Sequence, residues 1–307
     1  MIIYNSLNEA KIDRGTAIAM GNFDGMHLGH QALVSMAVAG AKARGLRSAV
    51  FTFENNPKNV MAGERVVKNI MLPEDRAKFM ERLGIDYLLS MPFDDAIRDT
   101  PPDRYVRELL VGRFGMAAAY CGFNHRFGAR AAGDAAFLER MGAAEGFDVH
   151  VLEPQEIGGR LVSSSLIRGL ILEGKVDECA AFLGRNYSAG GEVVMGNQLG
   201  RTIGFPTVNI LIDDDMAVPA HGVYVTCCHL AGAVYPGVTN VGVRPTIGDE
   251  KKSIETHLFD MNEDLYGKHI SVEFFKRVRE ERKFDGLPAL AEQIGRDCAV
   301  AREFHGL

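Results

Sequence analysis

The chain has 307 residues, 47% of them hydrophobic and 24% charged, ordinary values for folded domains that exclude a disordered, fibrous or membrane-dominated chain. At this length two domains, each burying its own core, are expected rather than one. Thirty-four Lys and Arg against forty Asp and Glu leave a net charge of -6, so no chain-wide basic field exists to recruit nucleic acid, and phosphate ligands need local handling.

The opening segment MIIYNSLNEAKID lacks a basic start followed by an apolar core and a small-residue cleavage site. No later apolar run approaches bilayer-spanning length. A soluble, cytoplasmic protein with no membrane partner is expected, and an oligomer is compatible with the sequence. Cys121, Cys179, Cys227, Cys228 and Cys298 are odd in number and form no CxxC pair, which reads as buried free thiols rather than a disulfide framework or zinc site.

Through about residue 155, short apolar runs alternate with helical patterns. Strands are expected at Thr16 to Met20, Arg47 to Phe53, Asp86 to Met91, Met116 to Cys121 and Asp148 to Leu152. Helices are expected at Gln31 to Ala43, Pro73 to Leu83, Pro102 to Val111 and Gly133 to Ala144. Such alternation implies a parallel sheet covered on both faces, with ligands beyond the carboxyl ends of its strands.

Two helices, Ser164 to Leu172 and Val176 to Leu183, lead into a different texture. Short β-rich runs broken by Gly and Pro follow at Glu192 to Met195, Thr207 to Ile212, Val223 to His229, Val238 to Val241, Ile254 to Phe259 and Ile270 to Phe275. They predict a small antiparallel barrel. Leu287 to Phe304 reads as one amphipathic closing helix with Leu290, Ile294, Cys298 and Ala301 on its stripe. The domain boundary is placed at residues 185 and 186, giving domains 1–185 and 186–307.

The turn after the first expected strand is GNFDGMHLGH, with Gly21, Phe23, Asp24, Gly25, His27 and His30. Glycines let backbone approach a phosphate, and the amides of a helix start supply donors for an anion. His27 and His30 lie three apart, so on a helical turn both imidazoles face one way. There they can stabilise charge as an α-phosphate comes under attack. Incidental surface histidines are the bland alternative. A metal reading lacks a completing HExxH or neighbouring carboxylate. The chain has neither a Walker P-loop nor GxGxxG.

In the second half, Gly196, Gly200 and Gly204 recur at intervals of four before Phe205-Pro206-Thr207-Val208-Asn209. A glycine loop of this kind can close over phosphates. Thr207 and Asn209 point to one face if the strand starts there, and a hydroxyl and an amide oxygen suit a Mg2+ that keeps several waters and bridges ATP phosphates. A barrel corner built from glycine and proline would produce part of the same pattern.

GNFDGMHLGH resembles the HxGH nucleotidyltransferase superfamily, in the version found in bacterial bifunctional riboflavin kinase/FMN adenylyltransferases. CGFNHRFG (121–128) is similar to the GxNFxFG loop of that family, with Asn124 at its binding position. RLVSSSLIR (160–168) is similar to RxxSSTxIR at the triphosphate end of ATP, bringing in Arg160, Ser163, Ser164 and Arg168. GRTIGFPTVNI resembles the kinase signature GRxLGFPTANI and includes Arg201. HGVY (221–224), VTNVGVRPT (238–246), IETHL (254–258), LYG (265–267) and Arg279 to Phe284 continue the match in order and spacing.

The resemblance implies a Rossmann-like N-terminal HxGH domain followed by a six-stranded antiparallel β-barrel with a closing helix. It implies two ATP-dependent reactions, riboflavin to FMN in the barrel and FMN to FAD in the first domain. Glu255 becomes the general base of the kinase, His27 and His30 serve adenylyl transfer, and Thr207 and Asn209 hold Mg2+.

One segment departs from the family: FENNP stands where FEPHP is usual, placing Asn55 and Asn56 at the Pro-His positions. Asparagine forms hydrogen bonds but carries no charge near neutral pH. This leaves open a riboflavin kinase whose first domain binds nucleotide without turnover. A non-catalytic flavin-binding protein is a third reading.

Overall fold

The computed structural model describes every residue except 13–14, 197, 246–249 and 262. Its contacts divide the chain into two compact units, Met1–Ser164 and Ser165–Leu307.

The first unit is built on strands β1 (Ile2–Tyr4), β2 (Thr16–Met20), β3 (Arg47–Phe53), β4 (Tyr87–Met91) and β5 (Met116–Gly122). A small hairpin of β6 (Arg126–Phe127) and β7 (Gly133–Asp134) follows, then β8 (Asp148–Leu152). Six of these form one sheet in the order β1-β4-β3-β2-β5-β8, with every pairing parallel. Edge strand β1, only three residues long, is not among the strands expected from sequence.

All five residues of β2 are buried, as a central parallel strand requires. Its side chains alternate between two cores. Ile18 and Met20 join Ala49, Phe51, Leu109 and Leu138 on one face, while Ala17 and Ala19 join Val50, Leu33, Val34 and Met80 on the other.

The covering helices begin with α1 (Leu28–Arg44), α2 (Pro57–Ala62), α3 (Pro73–Arg82), α4 (Asp95–Arg98) and α5 (Pro102–Arg104). The last of these runs directly into a π-helical stretch, Tyr105–Val111. Its wider winding continues in the bonds from Gly112 N to Arg107 O (2.9 Å) and Phe114 N to Leu109 O (3.1 Å). Helix α6 (Ala135–Glu145) precedes β8, and a short pair, β9 (Glu156–Ile157) with β10 (Arg160–Leu161), closes the unit.

The second unit carries α7 (Ser164–Leu172, from its second residue) and α8 (Val176–Leu183), and α8 packs on the barrel that follows. Strands β11 (Tyr187–Val194), β12 (Val208–Ile212), β13 (Gly222–Leu230), β14 (Ala233–Pro245), β15 (Glu250–Leu258) and β16 (His269–Arg279) close in the order β11-β12-β15-β14-β13-β16. Every pairing is antiparallel. The strands run longer than apolar pattern alone suggests, because turn and edge residues with polar side chains still pair their backbones.

Thr226, Thr239 and Thr256 are fully buried and satisfy one another through hydroxyl contacts of 2.8 Å each. Helix α9 (Leu199–Thr202) is a single turn before β12, and α10 (Leu287–His305) closes the unit with Cys298 and Ala301 buried beside Val223, Val225 and Val238. All five cysteines are free and buried. Burial pushes the thiols of Cys121, Cys227, Cys228 and Cys298 up to about 11, which fits packing rather than reactivity.

Candidate active sites

The first site forms where β2 ends and α1 begins, at the carboxyl edge of the parallel sheet. Three residues of this turn adopt positive φ: Phe23 (50°), Gly25 (79°) and Met26 (43°). For non-glycine residues such conformations cost about 1–3 kcal/mol each. Phe23 and Met26 are both fully buried in the core with Leu33 and Val34, and each buried side chain returns about 1.5–3 kcal/mol, enough to hold the turn. Gly25 is required doubly, since a Cβ there would also approach Ile70 to 2.8 Å.

His27 is the N-cap of α1. Its Nδ1 accepts the backbone N–H of His30 at 3.2 Å, and the two rings stack with centroids 3.5 Å apart. A lone pair on Nδ1 places the proton of neutral His27 on Nε2. The pKa of His30 lies well below 6.5, chiefly through burial and further through His27 and the Arg76 cation. His30 is therefore a neutral imidazole at neutral pH. Its Nδ1 has no hydrogen-bond partner among the described residues.

Asp24 accepts from the amides of Ile70 (2.8 Å) and Met71 (3.3 Å), and its own carbonyl receives the Ser164 hydroxyl at 2.8 Å. Ser164, the last residue of the first unit, thus bonds to the turn between β2 and α1. Asn124 is exposed just past β5, next to β2 in the sheet. Arg160 is exposed in β10, and Ser163 directly precedes α7. Arg168 stands one helical turn into α7 and belongs by contacts to the second unit.

Arg76 was not anticipated. It comes from α3, is 7% exposed, and donates from Nη1 to Asn22 O (3.0 Å) and from Nη2 to Phe53 O (2.7 Å). One guanidinium therefore joins the turn after β2 to the end of β3. The sequence signal was a lone cation four residues before Met80 on the buried face of an otherwise ordinary amphipathic helix.

Asn55 and Asn56 have local duties. Asn56 caps α2, its Oδ1 accepting from Lys58 N at 3.0 Å, and Asn55 Oδ1 accepts from Phe93 N at 2.7 Å.

In the barrel, a cavity of about 340 Å³ lies between the strands and α10, lined among others by Gly200, Phe205, Thr207, Asn240, Glu255, His257, Arg279 and Asp297. Along β15, Ile254, Thr256 and Leu258 are buried while Glu255 and His257 share the opposite, partly open face. The register sets Glu255 opposite Asn209 on β12 and Asn240 on β14. Thr207 and Glu255 thus meet at one cavity. Asn209 is buried and absent from the lining, its side-chain amide lying against Gly196.

Gly196 has a steric purpose: a Cβ there would sit 2.3 Å from the Asn209 amide nitrogen. Arg201 lies in α9, and Gly204 and Pro206 are in the turn leading to β12. On the far wall Arg279 grips Asp297 through both carboxylate oxygens at 2.8–3.0 Å. Asn240 and His257 lie within VTNVGVRPT (238–246) and IETHL (254–258), where residue type alone marks no role for them.

For Mg2+, the oxygen ligands that would serve are the Thr207 hydroxyl and the Asn209 amide oxygen, with Glu255 across the register. No group of three His, Cys, Asp or Glu residues among the described residues forms a metal cluster. Neutral oxygens of this kind fit a hard cation that keeps its waters and takes the rest of its shell from phosphates.

A family model described as FAD synthetase matches residues 9–166, and one described as riboflavin kinase matches residues 183–305. The bifunctional riboflavin kinase/FMN adenylyltransferase of Escherichia coli (strain K12) is 34% identical over 294 residues, covering 95% of this chain and 94% of that protein. The chain belongs to the bifunctional riboflavin kinase/FMN adenylyltransferase family. A member from Bacillus subtilis (strain 168) is 35% identical over 288 residues, covering 92% of this chain and 90% of its own length. A solved structure described as a macrolide-efflux protein from Streptococcus pneumoniae superposes with a TM-score of 0.89 at 30% identity, covering 98% of each chain. No helix among the described residues of this family member is long and apolar enough to cross a membrane.

Proposed function

We propose that the barrel half, residues 186–307, phosphorylates riboflavin to FMN with Mg-ATP, and that the first half, residues 1–185, transfers AMP from ATP to FMN, giving FAD and pyrophosphate. The reading places both reactions in the cytoplasm. The observation that carries it is the meeting of Thr207 and Glu255 at one cavity, with Asn209 register-paired to Glu255.

In the kinase half, Glu255 accepts the proton of the riboflavin 5'-hydroxyl as that oxygen attacks the γ-phosphorus and ADP leaves. Phosphoryl transfer asks little covalent work of a protein beyond positioning and charge neutralisation. Thr207 and Asn209 would hold the magnesium, which supplies charge neutralisation across the phosphates when bound. Gly196, Gly200, Arg201, Gly204 and Pro206 shape the turn that receives them.

In the adenylyltransferase half, a phosphate oxygen of FMN attacks the α-phosphorus of ATP and pyrophosphate departs. The Nε2–H of His27 donates to the charge that develops there, and neutral His30 stacks against it. Gly21, Phe23, Asp24 and Gly25 form the turn, while Asn124, Arg160, Ser163, Ser164 and Arg168 bind nucleotide or flavin phosphate. Asn56, as a helix cap, replaces the family histidine without removing any of these groups. Supplying FMN and Mg-ATP to the purified protein tests this half: FAD is expected, and its absence would restrict the protein to the kinase reaction.

A further inference from the structure

The β12–β15 ladder pairs Ile210 with Ile254, Asn209 with Glu255 and Val208 with Thr256, and there it stops. The next pair in register would be Thr207 with His257. Backbone pairing is replaced at that point by a side chain: His257 Nδ1 lies 2.8 Å from the carbonyl oxygen of Pro206. A carbonyl only accepts, so Nδ1 carries the proton. The ring is fixed from two sides, edge-on to Phe205 (5.6 Å, 81°) and to Phe259 (5.9 Å, 70°).

We propose that His257 is a positioning residue for phosphoryl transfer, whose Nδ1–H holds the Pro206 carbonyl and thereby sets Thr207 against Glu255 across the cavity. The inference rests on the kinase reading above. His257 shares a strand face with Glu255, two residues away, and its hydrogen bond reaches the residue immediately before Thr207. The strand that carries the base thus also fixes the turn that carries the metal ligand. Glycine and proline leave that turn few ladder bonds of its own, and Pro206 has no N–H to give. The clamp works equally with neutral or protonated imidazole, since both keep Nδ1–H.

The test compares His257→Phe with His257→Asn in the full-length protein. Phenylalanine keeps the ring packing and loses the donor, whereas the asparagine amide nitrogen falls near the position of Nδ1 and restores it. His257→Phe is expected to lower kcat/KM for Mg-ATP in riboflavin phosphorylation about 10- to 100-fold, mainly through KM, as expected for a misplaced phosphate-binding group. His257→Asn should return to within about threefold of the starting protein, and FAD formation from supplied FMN should be unchanged in both.

Amide exchange of the peptide spanning 203–209 supplies a readout independent of turnover, expected to speed about tenfold in the Phe variant only. Normal kinetics and exchange in His257→Phe would overturn the proposal, as would an Asn variant as impaired as the Phe variant. Loss of FAD formation in both would also overturn it, by making His257 a general folding residue. If the unsubstituted protein forms no FMN, the kinase reading fails, and the exchange comparison still decides whether His257 holds the turn.

Discussion

The Nδ1 atom of His27 accepts the backbone N–H of His30 at 3.2 Å, so one imidazole both caps a helix and presents its opposite nitrogen as a donor. The two roles are separable. His27→Asn keeps a good N-cap but ends short of Nε2. FAD formation from FMN is expected to fall about 100- to 1,000-fold, while unfolding free energy changes by less than about 0.5 kcal/mol. His27→Ala should add a loss of about 1 kcal/mol from the missing cap. Urea unfolding beside a steady-state assay checks both, and full turnover in the Asn variant would refute the donor role.

Arg76 holds the carbonyls of Asn22, in the turn between β2 and α1, and of Phe53, at the end of β3. Arg76→Met leaves these buried acceptors without their donor and is expected to cost about 2–4 kcal/mol. FAD formation should drop about 100-fold as the turn shifts. Arg76→Lys restores charge without the two-pronged geometry and should stay impaired. A lysine variant with normal stability and turnover would show that charge alone matters.

His125 gives a pH-dependent prediction. Its Nε2 is shielded from solvent with no hydrogen-bond partner among the described residues, and burial lowers its pKa from 6.5 to about 4. A base whose folded pKa is depressed takes up its proton more readily when unfolded, so stability is present above pH 6.5 and is lost as pH falls toward 4. The loss is about 1.4 kcal/mol per pH unit within that window. His125→Phe removes the group, so its stability advantage over the unsubstituted protein should grow by about 2 kcal/mol between about pH 7 and pH 5. Urea midpoints at the two pH values measure this, and an advantage independent of pH would contradict it.

The sequence made the sheet legible because β2 and β3 are apolar on both faces, and the sites legible because glycine turns and paired histidines lie at strand ends. Strand β1 escaped because Ile2, Ile3 and Tyr4 are too few to show a period, and they sit on an edge where Ile2 and Ile3 stay exposed. The π-helical winding at Tyr105–Val111 leaves no mark in residue type. Arg76 and His257 were missed for a common reason: each acts on a backbone carbonyl distant in sequence, and carbonyls are identical at every position. Asn56 was legible as a departure from the family, but its capping bond to Lys58 became visible only with the backbone in place.

The proposed function puts two ATP-dependent sites in sequence, one around Glu255 and one around His27. The most direct measurement is chromatography of flavins after incubating Glu255→Gln with Mg-ATP and either riboflavin or FMN. FMN formation from riboflavin is expected to fall about 100- to 10,000-fold, the range for loss of a general base, while FMN is still converted to FAD at the rate of the unsubstituted protein. Undiminished phosphorylation of riboflavin, or equal loss of both conversions, would contradict the account.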